Sequence, residues 1–458
     1  MNGPWFTPER VLPALGDALR AAPADQVEVF AQSRVGEYTR FAASRVHQPQ
    51  SITEAQIMVR AVVGTGSARV AVSALADVAT AVARACALAR ARDGSPGATR
   101  PYDVAAGPVT LGATPALCES TLAWDAVERS RLAGEAMASA ARAGGTAHGT
   151  LSRAITELAV VTSRGVSLYG AATEAGFAAT VRVGEVSSYV GDLGRDAAAL
   201  DVRGRCLEAI EDVAAADEPV DLDDGVYDVV FGPLATGELI GFLPDFGYLA
   251  PAVRAGIGLV AERAGRRVAS PLVTVSDDAS DPIGLTFPFD FEGTPKAAVD
   301  LLRAGVVGGA VSDRAGAAAT GGTSTGHASI GREQSPEPAC ANLVMAPGTA
   351  STADLVGGVE RGIYVQRLWY NRLVDVERGL VVGTSRDRAF LIEDGRPGRS
   401  LRGARFNESV IDALERVDGV SLERASQPIP NLWNSSITAP AMRVRGFRFG
   451  ARTRGGGR

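Results

Sequence analysis

The residues that could do chemistry in this sequence centre on one carboxylate whose neighbours cannot bind a metal. Glu238 lies in the run Gly237-Glu238-Leu239-Ile240-Gly241-Phe242. A catalytic zinc needs about three protein ligands drawn from imidazole, thiolate and carboxylate groups. Gly237 offers no ligand and Phe242 offers only an apolar ring, so we interpret Gly237, Glu238, Gly241 and Phe242 as a degenerate motif without a catalytic role.

The pattern around Glu238 is typical of a helix start. A carboxylate in the first turn of a helix is stabilising by about 0.3–1 kcal/mol, because the helix dipole is positive there. We therefore expect Glu238 to stabilise the helix N-terminus, and a contact with a substrate or a partner chain stays open as the alternative.

The remaining histidines and cysteines do not form a metal site in the sequence. His47, His148 and His327 lie in three separate segments and have no acidic or cysteine partner at helical spacing. The four cysteines have no C-x-x-C spacing, so we interpret them as reduced and mostly structural. They are Cys86, Cys118, Cys206 and Cys340. We predict no metal in this chain.

A glycine-rich segment, Gly322-Thr323-Ser324-Thr325-Gly326, matches the G-x-S-x-G pattern of serine hydrolases. The histidine that such a mechanism needs later in the chain is absent apart from His327, three residues on. The glycines also resemble a phosphate loop, but His327 and Ala328 replace the required Lys and Ser/Thr. We therefore predict that residues 315–328 form a flexible loop that lines a substrate channel.

Five arginines lie around the predicted strands of the last third of the chain. They are Arg361, Arg367, Arg372, Arg386 and Arg388. The guanidinium group suits carboxylates, including peptide C-termini, although pairing with nearby acids on solvated sheet faces is the favoured interpretation. The candidate substrate-binding residues are accordingly Thr323, Ser324, Thr325, His327 and Arg367.

Composition excludes several classes of protein. The chain has 458 residues, is 46% hydrophobic and carries a net charge of −6 without a basic cluster. Nucleic-acid binding needs a basic surface, so we expect no nucleic-acid partner. No stretch approaches 18 uncharged apolar residues and the first residues lack a signal-peptide pattern. We therefore expect a cytoplasmic protein without a membrane partner.

Hydrophobic periodicity predicts helices at 8–19, 77–92, 123–142 and 203–215. It predicts strands at 27–31 and a hairpin of 57–61 with 68–72 around Gly64-Thr65-Gly66. After residue 225 a strand at 229–231 precedes a helical pattern at 236–242. Beyond Ser270 strands dominate, at 301–307, 311–313, 363–373, 380–385 and 388–393.

These elements predict an α+β protein, with helices packed on an antiparallel sheet in the N-terminal part and a mostly antiparallel β C-terminal domain. Shifts to Gly, Pro and acidic residues suggest the boundaries. We predict an N-terminal α+β domain at 1–105, a middle α+β domain at 106–222, a β-rich domain at 223–450 and a disordered tail at 451–458.

Segments spread along the chain resemble the TldD/PmbA (TldD/TldE) peptidase family. The resemblance is carried by runs in the C-terminal domain, with the N-terminal hairpin and the Ser163-x-Gly165 turn in support. These runs are Phe289-Asp290-Phe291-Glu292-Gly293, Ser324-Thr325-Gly326-His327, Gly357–Tyr370, Gly383–Asp387, Phe390–Gly395 and Arg405–Ser409. The run 237–242 matches the H-E-x-x-x-H motif of TldD with both histidines replaced.

The resemblance implies a TldE/PmbA-like, metal-free subunit of a heterodimeric zinc peptidase. It implies that a TldD-like paralogue carries the zinc, and that the pair cuts short or unfolded peptides, or matures a peptide-like natural product, in an enclosed cleft. The isolated chain is then expected to be inactive.

Two other functions stay open. One is a self-sufficient amide hydrolase of specialised metabolism that uses Ser324, Cys340 or Glu238. The other is a peptide-binding homodimer without catalysis.

Overall fold

The computed structural model describes residues 6–97, 99–112, 117–214, 216–285, 287–330, 336–430 and 432–450. The predicted tail at 451–458 lies outside the described residues. Within these ranges, no helix has both the length and the apolar character that a bilayer span requires.

The N-terminal part is built on one six-stranded antiparallel sheet in the order β3-β2-β1-β4-β5-β6. Its strands are β1 Gln26–Ala42, β2 Arg45–Val63, β3 Gly66–Val72, β4 Thr146–Thr162, β5 Ser167–Val183 and β6 Val186–Gly194. The helices here are α1 Pro8–Arg20, α2 Val78–Arg92, α3 Glu119–Ala123, α4 Ala126–Arg142 and α5 Val202–Ala214.

The two faces of this sheet have different coverings, as the alternation of side chains along each strand allows. The face that carries Val29, Ile57 and Ala159 packs against α1 and α2 at one end. Further along the same face, α4 and α5 cover Leu151 and Phe177. The opposite face carries Phe30, Met58 and Leu158 and is covered by residues 287–291 of the C-terminal part. The sheet is therefore a middle layer between helices and the C-terminal domain.

The C-terminal part is built on an eleven-stranded mixed sheet. Its main path runs β10-β9-β8-β13-β19-β17-β15-β14-β7, and β16 and β18 pair with β15 and β19. The strands of this part, including the separate pair β11–β12, are β7 Gly225–Phe231, β8 Val275–Asp277, β9 Val299–Arg303, β10 Val306–Val307, β11 Ala328–Ile330, β12 Pro336–Pro338, β13 Asn342–Met345, β14 Arg361–Asp375, β15 Leu380–Glu393, β16 Arg396–Ser400, β17 Arg405–Ser409, β18 Val417–Pro428 and β19 Ser436–Phe449. The helices are α6 Pro233–Ile240, α7 Ala250–Arg254, α8 Leu259–Arg263, α9 Arg314–Thr320, α10 Thr352–Gly357 and α11 Val410–Glu415.

Helix α6 follows β7 directly and packs on β14, β18 and β19. Pro233 at its first position suits a helix start, because the missing N–H would be unpaired there in any case. Leu239 and Ile240 are fully buried in the largest hydrophobic core. The degenerate motif therefore lies on a rigid element in the interior of the C-terminal domain.

The predicted α+β class is confirmed, with antiparallel pairing dominant in the C-terminal part. Two parallel pairings, β13 with β19 and β14 with β7, interrupt that pattern. The predicted strand at 311–313 is wrong, since only Val311 makes an isolated bridge, to Leu249. The predicted strands at 380–385 and 388–393 are one continuous strand, β15, and the interruption between them is an irregularity at Asp387, whose φ is 60°.

The predicted flexible loop at 315–328 is also partly wrong. Residues up to Thr320 belong to α9, whose N-cap residue Asp313 accepts a hydrogen bond from the N–H of Gly316 at 2.7 Å. Gly321 ends this helix with a left-handed backbone conformation. The glycine-rich stretch that remains irregular is residues 321–327.

The six-stranded sheet joins strands from both sides of the predicted boundary at residue 105. β1 pairs with β4 along fourteen residue pairs, from Glu28 with Thr162 to Phe41 with Gly149. The strands of the eleven-stranded sheet begin at Gly225, after the second predicted boundary at residue 222.

Candidate functional site

Glu238 does not lie at a helix start. It is the sixth of the eight residues of α6 and belongs to the last turn, so the predicted role in stabilising the N-terminus is wrong. The reason is that Pro233 begins the helix three residues earlier than the apolar pattern indicates. At the C-terminal end the helix dipole is negative and opposes a carboxylate.

The Glu238 carboxylate is held by side chains from β14. The Asn371 amide donates a hydrogen bond from Nδ2 to Glu238 Oε2 at 2.6 Å. The Arg367 Nε atom lies 4.0 Å from the other oxygen, Oε1. About a fifth of each of the Glu238 and Arg367 side chains is exposed. The site is thus a partly exposed cluster of one acid, one amide and one guanidinium group.

Arg367 also ties β14 to the N-terminal sheet. Its guanidinium carbon lies 4.0 Å from the ring centre of Tyr189 on β6 and 4.7 Å from that of Trp369. Its Nη1 atom is 3.3 Å from Asp387 Oδ2, and the Ser187 hydroxyl donates to Asp387 Oδ1 at 2.9 Å. Arg367 therefore lies at the contact between β6 and the C-terminal sheet, where cation–π contacts hold it in place.

Burial raises the pKa of Glu238 to about 7, against the opposing effects of Arg367, the Asn371 amide and the backbone N–H of Leu368. Removal from water penalises the charged form, and one partly distant cation does not compensate. A carboxyl group with this pKa exchanges protons near neutral pH, which is the range in which a general acid or base is most effective.

The described residues do not fit a zinc ion at the degenerate motif. A Cβ atom added at Gly237 would lie 2.2 Å from the Gln427 Nε2 atom, so the Gln427 amide occupies the space that a side chain at 237 would need. That amide donates to the Leu234 carbonyl at 2.9 Å. Within the described ranges no three His, Cys, Asp or Glu side chains converge as metal ligands do.

The other two positions of the motif serve packing. Phe242 is partly buried against the largest core cluster. A Cβ atom at Gly241 would lie 3.0 Å from Ile437 Cδ1 on β19, so the helix approaches this strand closely there. Gly237, Gly241 and Phe242 therefore pack α6 against β18, β19 and the largest core.

The glycine-rich stretch holds a hydrogen-bonded cluster of its own. The Thr325 hydroxyl accepts from the Ser312 N–H at 2.7 Å and lies 2.9 Å from His327 Nδ1. The Ser324 hydroxyl donates to the Ser312 carbonyl at 3.2 Å. Thr323 is exposed. The structure brings Thr325 and His327 together and separately brings Glu238 and Arg367 together. No hydrogen bond or ion pair between described residues joins the two groups.

His327 is buried and forms a hydrogen-bonded pair with Asp277 on β8, with 3.0 Å between Nε2 and Oδ1. Burial alone would raise the pKa of Asp277. The hydrogen bond with His327, the charge of Lys296 and the backbone N–H of Asn342 outweigh burial and lower it. Both ring nitrogens of His327 are therefore engaged within the fold, by Asp277 and Thr325.

No activated nucleophile accompanies these groups in the described part of the chain. The Ser324 hydroxyl makes no hydrogen bond with His327, and its partners are the backbone groups of Ser312 and Gly326. Cys340 is fully buried, and burial raises the pKa of its thiol well above the ordinary value. A protonated buried thiol is a poor nucleophile. The exposed His47 and His148 lie apart from both groups.

Sequence reasoning missed Asn371, Gln427, Tyr189 and Asp387 as members of the Glu238 site. They come from β14, β18, β6 and β15, and only strand pairing brings them to α6. The signal available for Asn371 was its position directly after the family-like run that ends at Tyr370.

Two family models match the chain. Residues 224–451 match the PmbA/TldA metallopeptidase C-terminal domain, and residues 27–89 match PmbA/TldA metallopeptidase domain 1. Together they cover more than half of the sequence. The chain belongs to the PmbA/TldD family. The resemblance predicted from the sequence is thereby confirmed.

Relatives of this PmbA/TldD chain include proteins described as metalloproteases. A metalloprotease TldD homolog of Haemophilus influenzae is 29% identical over 202 residues, which are 43% of this chain and 41% of that protein. A metalloprotease of Methanothermobacter thermautotrophicus is 26% identical over 197 residues, 43% of each chain. The matched region thus spans less than half the length of these curated relatives.

The fold is shared along most of the chain with a solved structure. The crystal structure of TldE from Thermococcus kodakarensis superposes with a TM-score of 0.85 at 20% sequence identity. The superposition covers 96% of this chain and 100% of that one. The N-terminal sheet, the helices and the C-terminal sheet therefore form one architecture common to both proteins.

Proposed function

We propose that this chain is the metal-free subunit of a two-chain peptidase. In this proposal a TldD-like paralogue with an intact H-E-x-x-x-H motif carries the zinc, and the two chains enclose the cleft in which short or unfolded peptides are hydrolysed. Maturation of a peptide-like natural product is the alternative task for the same pair. The isolated chain holds no zinc and cleaves nothing.

The observation that carries the proposal is the packing at Gly237. Two ligand positions are occupied by Gly237 and Phe242, and the Gln427 amide fills the space beside Gly237 through its hydrogen bond to Leu234. Loss of the ligands alone could leave an empty cavity. The space beside Gly237 is instead filled by the Gln427 amide, which supports the proposal that this chain functions without a metal of its own.

Membership of the PmbA/TldD family and the fold shared with TldE support the same proposal. Glu238 and Arg367 then have a role that needs no metal. They fix the contact between α6, β14 and β6, which would form one wall of the shared cleft. Substrate contacts by Arg367 and by Thr323, Ser324, Thr325 and His327 stay predictions.

A self-sufficient amide hydrolase has one observation in its favour, the pKa of Glu238 near 7. A general base at this position would need a nucleophile within hydrogen-bond distance. Its hydrogen-bond and ion-pair partners among the described residues are Asn371, Arg367 and the backbone of Leu368, none of which is a nucleophile. The two-chain peptidase is therefore the better-supported function.

The test is to express the chain with and without a TldD-like paralogue and to assay cleavage of an unfolded peptide substrate. Activity that needs both chains and is abolished by a chelator supports the proposal. A partner variant with alanine at both motif histidines is the matched control and should be inactive. Chelator-resistant turnover by the isolated chain would favour the self-sufficient hydrolase instead.

A further inference from the structure

A cavity of about 590 Å³ lies between the C-terminal domain and the face of the N-terminal sheet that carries Phe30, Met58 and Leu158. We propose that it binds an extended, uncharged peptide segment that carries one large apolar side chain. The lining residues on which this depends are Gln32 and Gln56 from the sheet, and Phe287, Phe289, Trp433 and Asn434 from the C-terminal domain.

Two side-chain amides without hydrogen-bond partners among the described residues line the cavity, those of Gln32 and Asn434. Both polar atoms of the Asn434 amide are buried and have no hydrogen-bond partner within the described ranges. The Gln32 side chain also makes no hydrogen bond there, and its amide is not fully buried, although the residue as a whole is 7% exposed. A buried polar group without a partner is unfavourable, so a ligand that pairs with the Asn434 amide is favoured, and the Gln32 amide can pair with the same ligand. Each amide can both donate and accept, which matches the N–H and C=O groups of a peptide backbone.

An open strand edge borders the same cavity. β3 ends at Val72, opposite Ile57 of β2, and the preceding residues of β2 pair only with β1 among the described residues. Residues 54–56 of β2 line the cavity just beyond this end. An extended peptide can add to an exposed sheet edge through its main chain, so it could continue the line of β3 along β2.

The apolar part of the cavity suits one large side chain. Phe287 and Phe289 form an edge-to-face pair with ring centres 6.4 Å apart. Leu158 from the sheet and Leu432 and Trp433 from the C-terminal domain complete this wall. Alternation along an extended peptide places one side chain against the rings while the backbone faces the amides.

Charges around the cavity disfavour an anionic ligand. Lys296 is the one Lys or Arg side chain among the described lining residues, and its ammonium group donates to Asn342 Oδ1 at 2.9 Å. The fully buried Asp290 carboxylate also lines the cavity and accepts backbone N–H groups of Glu292, Thr294 and Ala328. A phosphate or nucleotide would find no uncommitted cation here.

The proposal deepens the proposed function and rests on it for its biological meaning, because a metal-free subunit with such a cavity would hold the substrate for its partner. The binding itself needs no partner. The cavity shares no lining residue with the group Glu238, Arg367 and Asn371. Peptide binding and metal-dependent cleavage can therefore be tested apart.

The experiment is calorimetric titration of the isolated full chain with the capped peptide acetyl-Ala-Phe-Ala-Ala-amide. We expect saturable one-site binding. Capped tetra-alanine should bind about tenfold or more weakly, because burial of a Phe side chain contributes about 1.5–3 kcal/mol. The variants Gln32→Leu and Asn434→Gly should each weaken binding of the Phe peptide about fivefold to tenfold through loss of a hydrogen bond.

Asn434 has a φ of 49°, which glycine adopts readily, so Asn434→Gly removes the amide without straining the backbone. Gln50→Leu on the neighbouring strand β2 is the matched control for Gln32→Leu, because Gln50 is exposed and does not line the cavity. It should leave the affinity unchanged. Circular dichroism and thermal unfolding verify that each variant is folded.

Absence of saturable binding to the folded parent chain would overturn the proposal, as would equal affinity for the two peptides. Unchanged affinity in both Gln32→Leu and Asn434→Gly would overturn it as well. If the chain fails to bind but still activates a TldD-like partner, this inference alone falls. If the chain binds the Phe peptide but supports no cleavage with any TldD-like partner, the proposed function is rejected and the peptide-binding site is retained.

Discussion

At the scale of single residues, two opposing effects set the pKa of the Glu238 carboxyl group. Desolvation and its place in the last turn of α6 disfavour the charged form, whereas Arg367 and Asn371 favour it. The net result is a pKa raised to about 7. The folded protein therefore keeps this proton at pH values where the unfolded chain has already lost it.

Glu238→Gln should change how stability depends on pH. Between the ordinary pKa of 4.5 and about 7 the folded state of the parent binds more protons than the unfolded state, so its free energy of unfolding falls as pH rises. The variant should lack this slope. The difference in unfolding free energy between variant and parent should therefore rise in favour of the variant by about 1–3 kcal/mol from pH 4.5 to pH 8. Urea unfolding from pH 4.5 to 8 measures both.

The control for this prediction is Glu415→Gln, since Glu415 is exposed and has no ion pair among the described residues. It should leave the pH profile of the parent unaltered. A Glu238→Gln profile parallel to that of the parent would show that the carboxyl group is not desolvated as described.

Gly237 and Gln427 should be coupled energetically. Alanine in a helix is more favourable than glycine by about 1 kcal/mol. A methyl group at position 237 displaces the Gln427 amide, which then loses its hydrogen bond to Leu234. This loss costs about 1 kcal/mol and so offsets the gain in helix propensity. Gly237→Ala should thus stabilise the Gln427→Ala background but not the parent.

A double-mutant cycle of unfolding free energies measures this coupling, which should be about 1 kcal/mol. Additive effects of the two substitutions would contradict the account of a filled ligand position.

At the residue scale, the sequence alone shows that positions 237 and 242 offer no metal ligand, but it does not show which side chain packs beside them. Glycine and phenylalanine lack ligand atoms wherever they lie, so that inference needs no coordinates. The Gln427 amide lies 190 residues further along the chain, and only the packing of β18 against α6 brings it to Gly237. The position of Glu238 in the helix was missed because Pro233 extends α6 beyond its apolar pattern.

At the element scale, the connection between α9 and β11 is held by Thr325. Its hydroxyl joins the backbone of Ser312 to the His327 ring, which in turn pairs with Asp277 on β8. These contacts favour a structural role for Thr325 and leave the exposed Thr323 as the residue of this stretch that is free to meet a ligand.

Thr325→Val should therefore destabilise the fold by about 1–3 kcal/mol, because it leaves the Ser312 N–H without its partner. Thr323→Val is the matched control in the same stretch and should stay within about 0.5 kcal/mol of the parent. Thermal and urea unfolding of the two variants check this pair. Equal stability of both variants would contradict the structural role of Thr325.

Elements with clear local signals were predictable. The hairpin of β2 and β3 follows from alternation on both sides of Gly64-Thr65-Gly66, and α1, α4 and α5 match their predicted helices within a few residues. Local patterns do not indicate the full extent of the long strands β1, β4 and β5; within β1 they predict only residues 27–31. Both of their faces are covered over much of their length, so the simple alternation of a half-buried strand is lost.

At the scale of the whole molecule, the N-terminal sheet is buried between helices and the C-terminal domain. Tyr102 donates to Glu292 at 2.8 Å across this contact and also stacks under Arg60 of β2, whose guanidinium carbon is 3.6 Å from the ring centre. No sequence pattern predicts these contacts, because they depend on how separate layers meet. The proposed peptide cavity, at Gln32 of β1, and the Glu238 site, where Arg367 meets Tyr189 of β6, lie in different parts of the contact between the N-terminal sheet and the C-terminal domain.

The central claim is that this chain is metal-free and that a TldD-like partner carries the zinc. Zinc stoichiometry tests this claim most directly. The measurement is zinc per chain in the isolated protein and in a complex co-purified with its TldD-like paralogue. We predict essentially no zinc in the isolated chain and about one zinc per complex, on the partner, with peptide cleavage appearing only in the complex. Stoichiometric zinc in the isolated chain, or cleavage by it alone, would contradict the claim.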